Sequence, residues 1–423
     1  MRLDSLKIKN FRCYESAEFK FNPNFNLLIG VNGSGKTSLL QAVASSFVEF
    51  SEAIGHPYCP NNEEVVRVVV QNVEKKVRFE ECYPLQLDAE GELLGRTRWH
   101  VKKIKSTEPV TVGYVVASHL ADSFLQVPHD PNADLPILAF YRANRRWVTT
   151  DVEITSAMTE RPSRLDAYHQ WQDAAVDIED LQRWVMSKTL ENLQHFAETG
   201  SQQDAPNDEL SIVNTTISKA LPGAKGIRYD ITLRSLMVDI GSSAPIAFNN
   251  LSDGQRSMIA LLADIARRMC LLNPHLSTNV LVETAGIIVI DELDIHLHPA
   301  WQRMIVQTLK AAFPKVQFIA ASHSPQIIGT LKAEEVIILE HGEASHPRVT
   351  YGLDSSSILS EVMDAEKRDP DVQALLTALF TSIESNELNT AKAKLIELKE
   401  KAPDLPEFAG AEALIRRKEI LGK

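Results

Sequence analysis

Three glycines followed by a lysine and a threonine make a combination that holds phosphate. In Gly30-Val31-Asn32-Gly33-Ser34-Gly35-Lys36-Thr37-Ser38 the closely placed glycines let the backbone curl, so that successive N–H groups point inward at phosphate oxygens. The spacing is GxxxxGK[ST]; Lys36 would neutralise the β- and γ-phosphates of ATP, and the Thr37 hydroxyl would ligate Mg²⁺. Further along, Gly286-Ile287-Ile288-Val289-Ile290 runs into Asp291-Glu292, and Phe318-Ile319-Ala320-Ala321-Ser322 runs into His323. Phosphoryl transfer needs positioning, charge neutralisation and an aligned nucleophile. Asp291 would hold Mg²⁺ through water, Glu292 would polarise the attacking water, and His323 would sense the γ-phosphate.

Such groups need a scaffold that brings them to one edge. Asn26-Leu27-Leu28-Ile29 reads as a short buried strand, and Ser38 to Ala44 continues as a helix whose N-terminal dipole favours an anion. Apolar runs ending in carboxylates place those acids at the carboxyl edge of a parallel sheet, where ligands of open α/β sheets bind. Between loop and acids lies Leu251-Ser252-Asp253-Gly254-Gln255. A serine at a helix start offers a hydroxyl and unpaired backbone N–H groups.

In this order the segments resemble the ABC-type ATPases of the SMC, Rad50, RecF and OLD group. Within it the chain looks like the compact AAA ATPases of bacterial antiphage defence, such as the ATPase subunit of Septu systems. The likeness runs from Met1 to about Asn144 and from Ile227 to about Leu339. It includes the opening Leu6-Lys7-Ile8-Lys9-Asn10-Phe11-Arg12, similar to the N-terminal hairpin of RecF-like proteins. Asp253 stands where glycine is commonest, and Asp291-Glu292-Leu293-Asp294 departs from the Asp-Glu-Pro of many relatives. Ile295-His296-Leu297-His298-Pro299 resembles the OLD/RecF branch rather than transporters. The resemblance implies an α/β P-loop head with mixed sheets and flanking helices, and a head-to-head dimer or a higher oligomer of dimers. Ser252, Gly254 and Gln255 would then face the γ-phosphate held by the partner's Lys36, and Asp294 would lie at the seam. A Mg²⁺-coordinating glutamine is not assigned, since Gln71 and Gln126 lie in the right interval without diagnostic context.

The 423 residues are 44% apolar, with net charge −12. A large core is possible, and a surface that coats nucleic acid everywhere is not. No apolar run approaches the ~20 residues that span a bilayer, and no charged-then-apolar leader opens the chain. Cys13, Cys59, Cys82 and Cys270 are scattered and form no CxxC pair, so neither zinc nor a disulfide framework is suggested and the cytoplasm is the simplest location. Nucleic acid would have to use local basic patches. In Arg96-Thr97-Arg98-Trp99-His100-Val101-Lys102-Lys103-Ile104-Lys105, a strand would align Arg96, Arg98, His100 and Lys102 on one face, and a charged edge that blocks aggregation is an equal reading. In Tyr141-Arg142-Ala143-Asn144-Arg145-Arg146-Trp147, a ligand-facing loop stands against plain surface ion pairing.

Four regions follow: residues 1–150 and 226–350 as the two halves of the head, 151–225 as a helical lid, and 351–423 as a helical tail. In the lid, Leu165, Tyr168, Trp171, Ala175, Ile178, Leu181, Trp184 and Val185 step by three and four, which predicts an amphipathic helix or helical pair. The tail predicts helices over Asp371–Ile383, Thr390–Lys401 and Glu407–Leu421, either packed on the head or serving as a docking surface. No HNH-like or toprim-like nuclease signature is present. The expected function is therefore an ATPase that regulates an operon-encoded effector, such as a nuclease, in antiphage defence. The alternative is a RecF- or SMC-like repair ATPase acting directly on DNA. Lys36→Ala should abolish ATP binding without altering the fold, to be read from a fluorescent-nucleotide titration beside a circular dichroism spectrum.

Overall fold

The computed structural model describes residues 1–58, 60–73, 76–107, 111–112, 130–145, 147, 163–174, 178–200, 208–221, 223–241, 244–340, 342–363, 369–403 and 405–421. They fall into two compact units, Met1–Leu353 and Asp354–Lys423. In chain order the strands are β1 (Arg2–Phe11), β2 (Tyr14–Lys20), β3 (Phe25–Ile29), β4 (Val68–Val73), β5 (Lys76–Glu81), β6 (Leu85–Leu93), β7 (Arg96–Lys103) and β8 (Thr111–Val112). They continue as β9 (Ile137–Tyr141), β10 (Ala224–Asp230), β11 (Ser235–Ile240), β12 (Ile246–Ala247), β13 (Gly286–Ile290), β14 (Val316–Ala321), β15 (Val336–Glu340) and β16 (Glu343–Ser345). Helices of ten residues or more are α1 (Lys36–Ser45), α2 (Glu179–Thr199), α3 (Glu209–Ala220), α4 (Asp253–Leu272), α5 (Pro299–Ala312), α6 (Pro370–Glu384), α7 (Leu388–Lys401) and α8 (Glu407–Leu421).

The first unit is an α/β P-loop head built on a six-stranded sheet of order β16-β15-β3-β14-β13-β9. Its strands pair in parallel except for β16. Every residue of β3, β9, β13 and β14 is buried, as expected of parallel strands covered on both faces. Side chains such as Ile288, Phe318 and Phe140 each contribute ~1.5–3 kcal/mol by leaving water. Gly286 is where β9 comes closest, since a Cβ there would collide with the Ile137 carbonyl. An antiparallel sheet of order β2-β1-β6-β7-β8 accompanies the central one. The buried Gln317 of β14 ties the two together: its Oε1 accepts from Leu3 N at 2.8 Å and its Nε2 donates to Leu3 O at 2.7 Å. At the other end of β1, Cys13 and Tyr14 follow the strand to the phosphate loop.

Helix α4 carries a buried ionic cluster. Asp264 accepts from Arg267 at 2.7 Å, from Arg268 at 2.7 Å and from the Tyr141 hydroxyl of β9 at 2.8 Å. Burial disfavours the Asp264 carboxylate, but the two guanidiniums more than offset this and hold its pKa below the usual carboxylate range. Arg268 also donates to the carbonyls of Ala167 and His169 at 2.6 and 3.1 Å, so one cluster joins helix, sheet edge and the segment after residue 163.

That segment differs from the amphipathic helix or helical pair its apolar spacing predicts. Arg164–Tyr168 and Trp171–Asp173 are short 3₁₀ turns, and the long helix starts only at Glu179. The break has a local cause: His169 is extended and Gln170 is left-handed, with φ 49. Tyr168 and Trp171 still point inward. The Tyr168 hydroxyl donates to Pro136 O at 2.6 Å, and Ala174 N to Phe140 O at 2.9 Å, so docking on β9 replaces helical hydrogen bonding there. Ala175 lies outside the described residues.

The basic strand alternates as expected, with Trp99, Val101 and Lys103 buried and Arg98 and His100 exposed. It is not a uniformly basic face. Arg98 pairs with Glu90 at 3.0 Å, Arg96 lies 3.6 Å from the buried Glu49, and His100 sits opposite Asp88 in the ladder. The strand β4 carries an exposed Gln71 that donates to Glu80 at 2.7 Å; Gln126 lies outside the described residues.

In the second unit α6, α7 and α8 enclose their own core of Leu376, Leu379, Ile383, Leu395, Leu398 and Phe408. Asp369 caps α6 by accepting from Asp371 N and Val372 N, with Pro370 in the first turn.

Removing one member of the α4 cluster leaves two buried cations without their counter-ion. Asp264→Ala should therefore lower the stability of the head by about 3–5 kcal/mol, measured by urea denaturation at pH 7.

Candidate active site

The phosphate loop joins β3 to α1, and its shape comes from its glycines. Gly35 is the left-handed residue (φ 103) from which α1 starts. The Tyr14 hydroxyl donates to Gly35 O at 3.1 Å, and it fills the space a Cβ on Gly35 would need. Lys36 lies largely buried under the loop, with Nζ donating to Gly30 O at 2.9 Å and Val31 O at 3.0 Å. Burial pulls its pKa below the ordinary lysine value, and Asp291 and Glu292 pull it back up.

The parallel register sets Ile290 beside Tyr141 and Ala320, so the residues just past β9, β13 and β14 converge. Thr37 Oγ1 donates to Asp291 Oδ2 at 3.0 Å. Together with Asn32, Lys36, Glu292 and His323 they line a cavity of about 220 Å³. Gly33, Gly35, Ser38, Ala321 and Ser322 complete its wall, as does Cys13, which sequence reasoning did not assign to the site. Ser34 does not line the cavity; its Oγ is buried against Gly30 without a hydrogen-bond partner. Burial, then the Lys36 charge, hold the His323 imidazole below its usual pKa, against the pull of Asp294, Glu292 and Asp291.

Asp294 is turned into its own chain: its Oδ1 accepts from Ser322 Oγ at 2.6 Å and from His323 N at 3.3 Å. Gln302 reaches the same turn from α5, donating to Leu297 O at 2.9 Å and accepting from Ser324 Oγ at 2.7 Å. Neither contact is encoded in local spacing.

Ser252, Gly254 and Gln255 do not line this cavity. Ser252 is the exposed N-cap of α4 in a capping box, its Oγ 3.0 Å from Gln255 Oε1 and its N donating to the same oxygen at 3.3 Å. Gly254 is buried: a Cβ there would lie 2.6 Å from His296 O and 3.1 Å from the Trp301 ring.

The basic segment after β9 is drawn inward rather than paired at the surface. Arg145 and Trp147 are buried, at 6% and 3% exposure, and Arg142 donates to Gln172 O at 3.2 Å while lying over the Phe140 ring. Arg146 lies outside the described residues. The segment faces the acidic pair rather than a nucleic acid: Arg145 donates to Asp291 O at 2.7 Å and Glu292 O at 2.8 Å. Its position just past an apolar strand was the available signal.

The family described as "AAA domain, putative AbiEii toxin, Type IV TA system" matches residues 25–329. The chain belongs to that AAA family. It is an ATPase, as its relatives are named. It is similar to "Retron Ec83 probable ATPase" of Escherichia coli, 24% identical over 88% of this chain and 78% of the relative. It is also similar to Septu protein PtuA of Bacillus thuringiensis, 24% identical over 91% of this chain and 90% of the relative. A crystal structure of an SMC head bound to the C-winged helix domain of ScpA aligns with 82% of this ATPase and 97% of that chain, at 13% identity and a TM-score of 0.48. No helix among the described residues is long and apolar enough to cross a membrane.

Alanine at position 35 would force a left-handed backbone and displace the Tyr14 hydroxyl, a strain of ~1–3 kcal/mol. Gly35→Ala in this ATPase should weaken ATP binding by about tenfold or more, read by isothermal titration calorimetry.

Proposed function

We propose that this chain is a Mg²⁺-dependent ATPase of bacterial antiphage defence, working in the cytoplasm, whose nucleotide sites are completed by a second copy and whose nucleotide state controls a separate effector. The observation that carries the reading is the convergence of Lys36, Thr37, Asp291, Glu292 and His323 on one cavity, while Ser252 stands exposed at the start of α4 outside it. A cavity of about 220 Å³ is smaller than the ~300–1,000 Å³ that encloses a typical small ligand. It suits a polyphosphate chain whose remaining surface is covered from elsewhere, and Ser252 with the free N–H groups of α4 is a suitable cover.

Within the site, Lys36 would neutralise the β- and γ-phosphates, with Asn32, Gly33, Ser34, Gly35 and Ser38 presenting the loop backbone and hydroxyls. Thr37 and Asp291 are hard oxygen donors already 3.0 Å apart, a donor set that suits Mg²⁺. When bound, the ion would neutralise charge on the β- and γ-oxygens. Glu292 would polarise the attacking water, and His323, neutral near pH 7 because its pKa is lowered, would contact the γ-phosphate. Asp294 would stand at the seam with its partner while steadying the His323 backbone.

The names of the relatives support the defence setting, since they belong to retron and Septu systems. The effector would be a protein encoded beside this chain, a nuclease in the simplest case, docking on the helical tail.

The test mixes two inactive chains. Lys36→Ala and Ser252→Arg should each be dead alone, and mixing them should restore turnover that depends on the ratio, because a heterodimer keeps at most one intact composite site. Cysteines placed next to Gly33 in one chain and Gly254 in another should cross-link only with ATP. A mixture that stays inactive and shows no ATP-dependent cross-link would overturn the shared site.

A further inference from the structure

We infer that Arg145 is a positioning residue for hydrolysis, holding Glu292 in its working orientation through the backbone of the acidic pair. This rests on Glu292 being the group that polarises water.

The backbone at Glu292 is strained: φ is 47, the left-handed region, in a residue other than glycine. Such a conformation costs ~1–3 kcal/mol and persists only where the surroundings over-determine it. Here they do so from both sides. Leu293 N donates to Ala321 O at 2.8 Å and Asp291 N to Tyr141 O at 2.8 Å, which fixes the flanking peptides on β14 and β9. Glu292 N turns back to Asp291 Oδ1 at 3.1 Å. The carbonyls of Asp291 and Glu292 are both taken by the Arg145 guanidinium, at 2.7 and 2.8 Å.

A guanidinium suits this place because its donors form a rigid planar fork, which can hold two successive carbonyls at a fixed relative angle. Arg145 has its own footing. The Nη1 that reaches Asp291 also donates to Tyr141 O at 3.3 Å and Arg142 O at 3.2 Å. The Tyr141 ring is held by Asp264 through its hydroxyl and packs on the buried Trp147 at 6.3 Å. Burial lowers the Arg145 pKa to about 10, with Asp291, Glu292 and Asp294 opposing the fall, so the fork is charged at neutral pH. The phosphate-binding group is elsewhere: Lys36 bonds only to its own loop among the described residues. Loss of Arg145 should therefore separate catalysis from binding.

The experiment compares wild type, Arg145→Lys, Glu292→Gln and the double variant for ATP affinity and for turnover at saturating ATP. Lysine keeps the charge but not the fork. Displacements of ~1 Å can lower a rate ~10²-fold, so Arg145→Lys should lose about 10- to 100-fold in kcat while its Kd for ATP stays within about threefold. Because Arg145 acts through Glu292, adding Arg145→Lys to Glu292→Gln should lower turnover by no more than about twofold further, the non-additivity expected of groups that work as a unit. Wild-type kcat in Arg145→Lys, a parallel loss of affinity, or fully additive effects would each overturn the inference while leaving the site reading intact. Wild-type turnover in Glu292→Gln would overturn both. If Arg145→Lys does not fold, Arg145→Ala with added ethylguanidinium replaces it: saturable return of turnover, not matched by ethylammonium, supports the inference, and no return in protein that still binds ATP overturns it.

Discussion

Parallel hydrogen bonding among β9, β13, β14 and β3 makes the strands end level with one another, and that register decides which groups can meet. Ile290 lies beside Tyr141 on one side and Ala320 on the other, and Ala321 lies beside Leu28. Asp291, the Arg142–Arg145 turn, Ser322 and the phosphate loop therefore leave the sheet from one edge. A one-residue slip moves a strand by ~3.3 Å, more than the whole 3.0 Å separation of Thr37 Oγ1 and Asp291 Oδ2. The apolar strands thus do two things: they stabilise the sheet by burial, and they set the tolerances of the chemistry.

The polar groups inside this scaffold mark where register alone is not enough. Gln317 clamps both backbone groups of Leu3, Asp294 joins two loops through Ser322 and His323, and Asp264 joins α4 to β9. A buried ion pair is weak evidence for stability, because packed apolar side chains often do as well. What these groups add is direction, since each accepts only a few donors at set angles. Asp294 does this at the carboxyl edge of the sheet, beside the site, and Gln317 at the opposite end of β14.

Much of this was legible in the sequence, for reasons that are local. The phosphate loop needs glycines at fixed spacing, and strands buried on both faces must be continuous apolar runs, so β3 and β13 stand out. In the tail, the periodic leucines locate α6 and α7, whose bounds fall within three residues of the expectation. What stayed open or unread shares one cause. Arg145 has the same local context whether it faces solvent or a pair of carbonyls nearly 150 residues away. The apolar steps from Leu165 to Trp171 suit a helix, but Tyr168 and Trp171 find their hydrogen bonds on other elements. Cys13 comes to the cavity through the β1–β2 turn, whose neighbour Tyr14 bonds to Gly35 O. Where a side chain's partner is distant in sequence, periodicity carries no trace of it.

The close approach at Gly254 ties the start of α4 to the turn that follows the acidic pair. With no Cβ, the first turn of α4 rests against the His296 carbonyl and the Trp301 ring, on the turn that follows the acidic pair, while the middle of the same helix is pinned to β9 through Asp264. The helix is thus held at two points by different elements, its start by the turn after the acidic pair and its middle by β9. Ser252, exposed at the start of α4, therefore stands one close backbone contact away from the turn that follows the acidic pair.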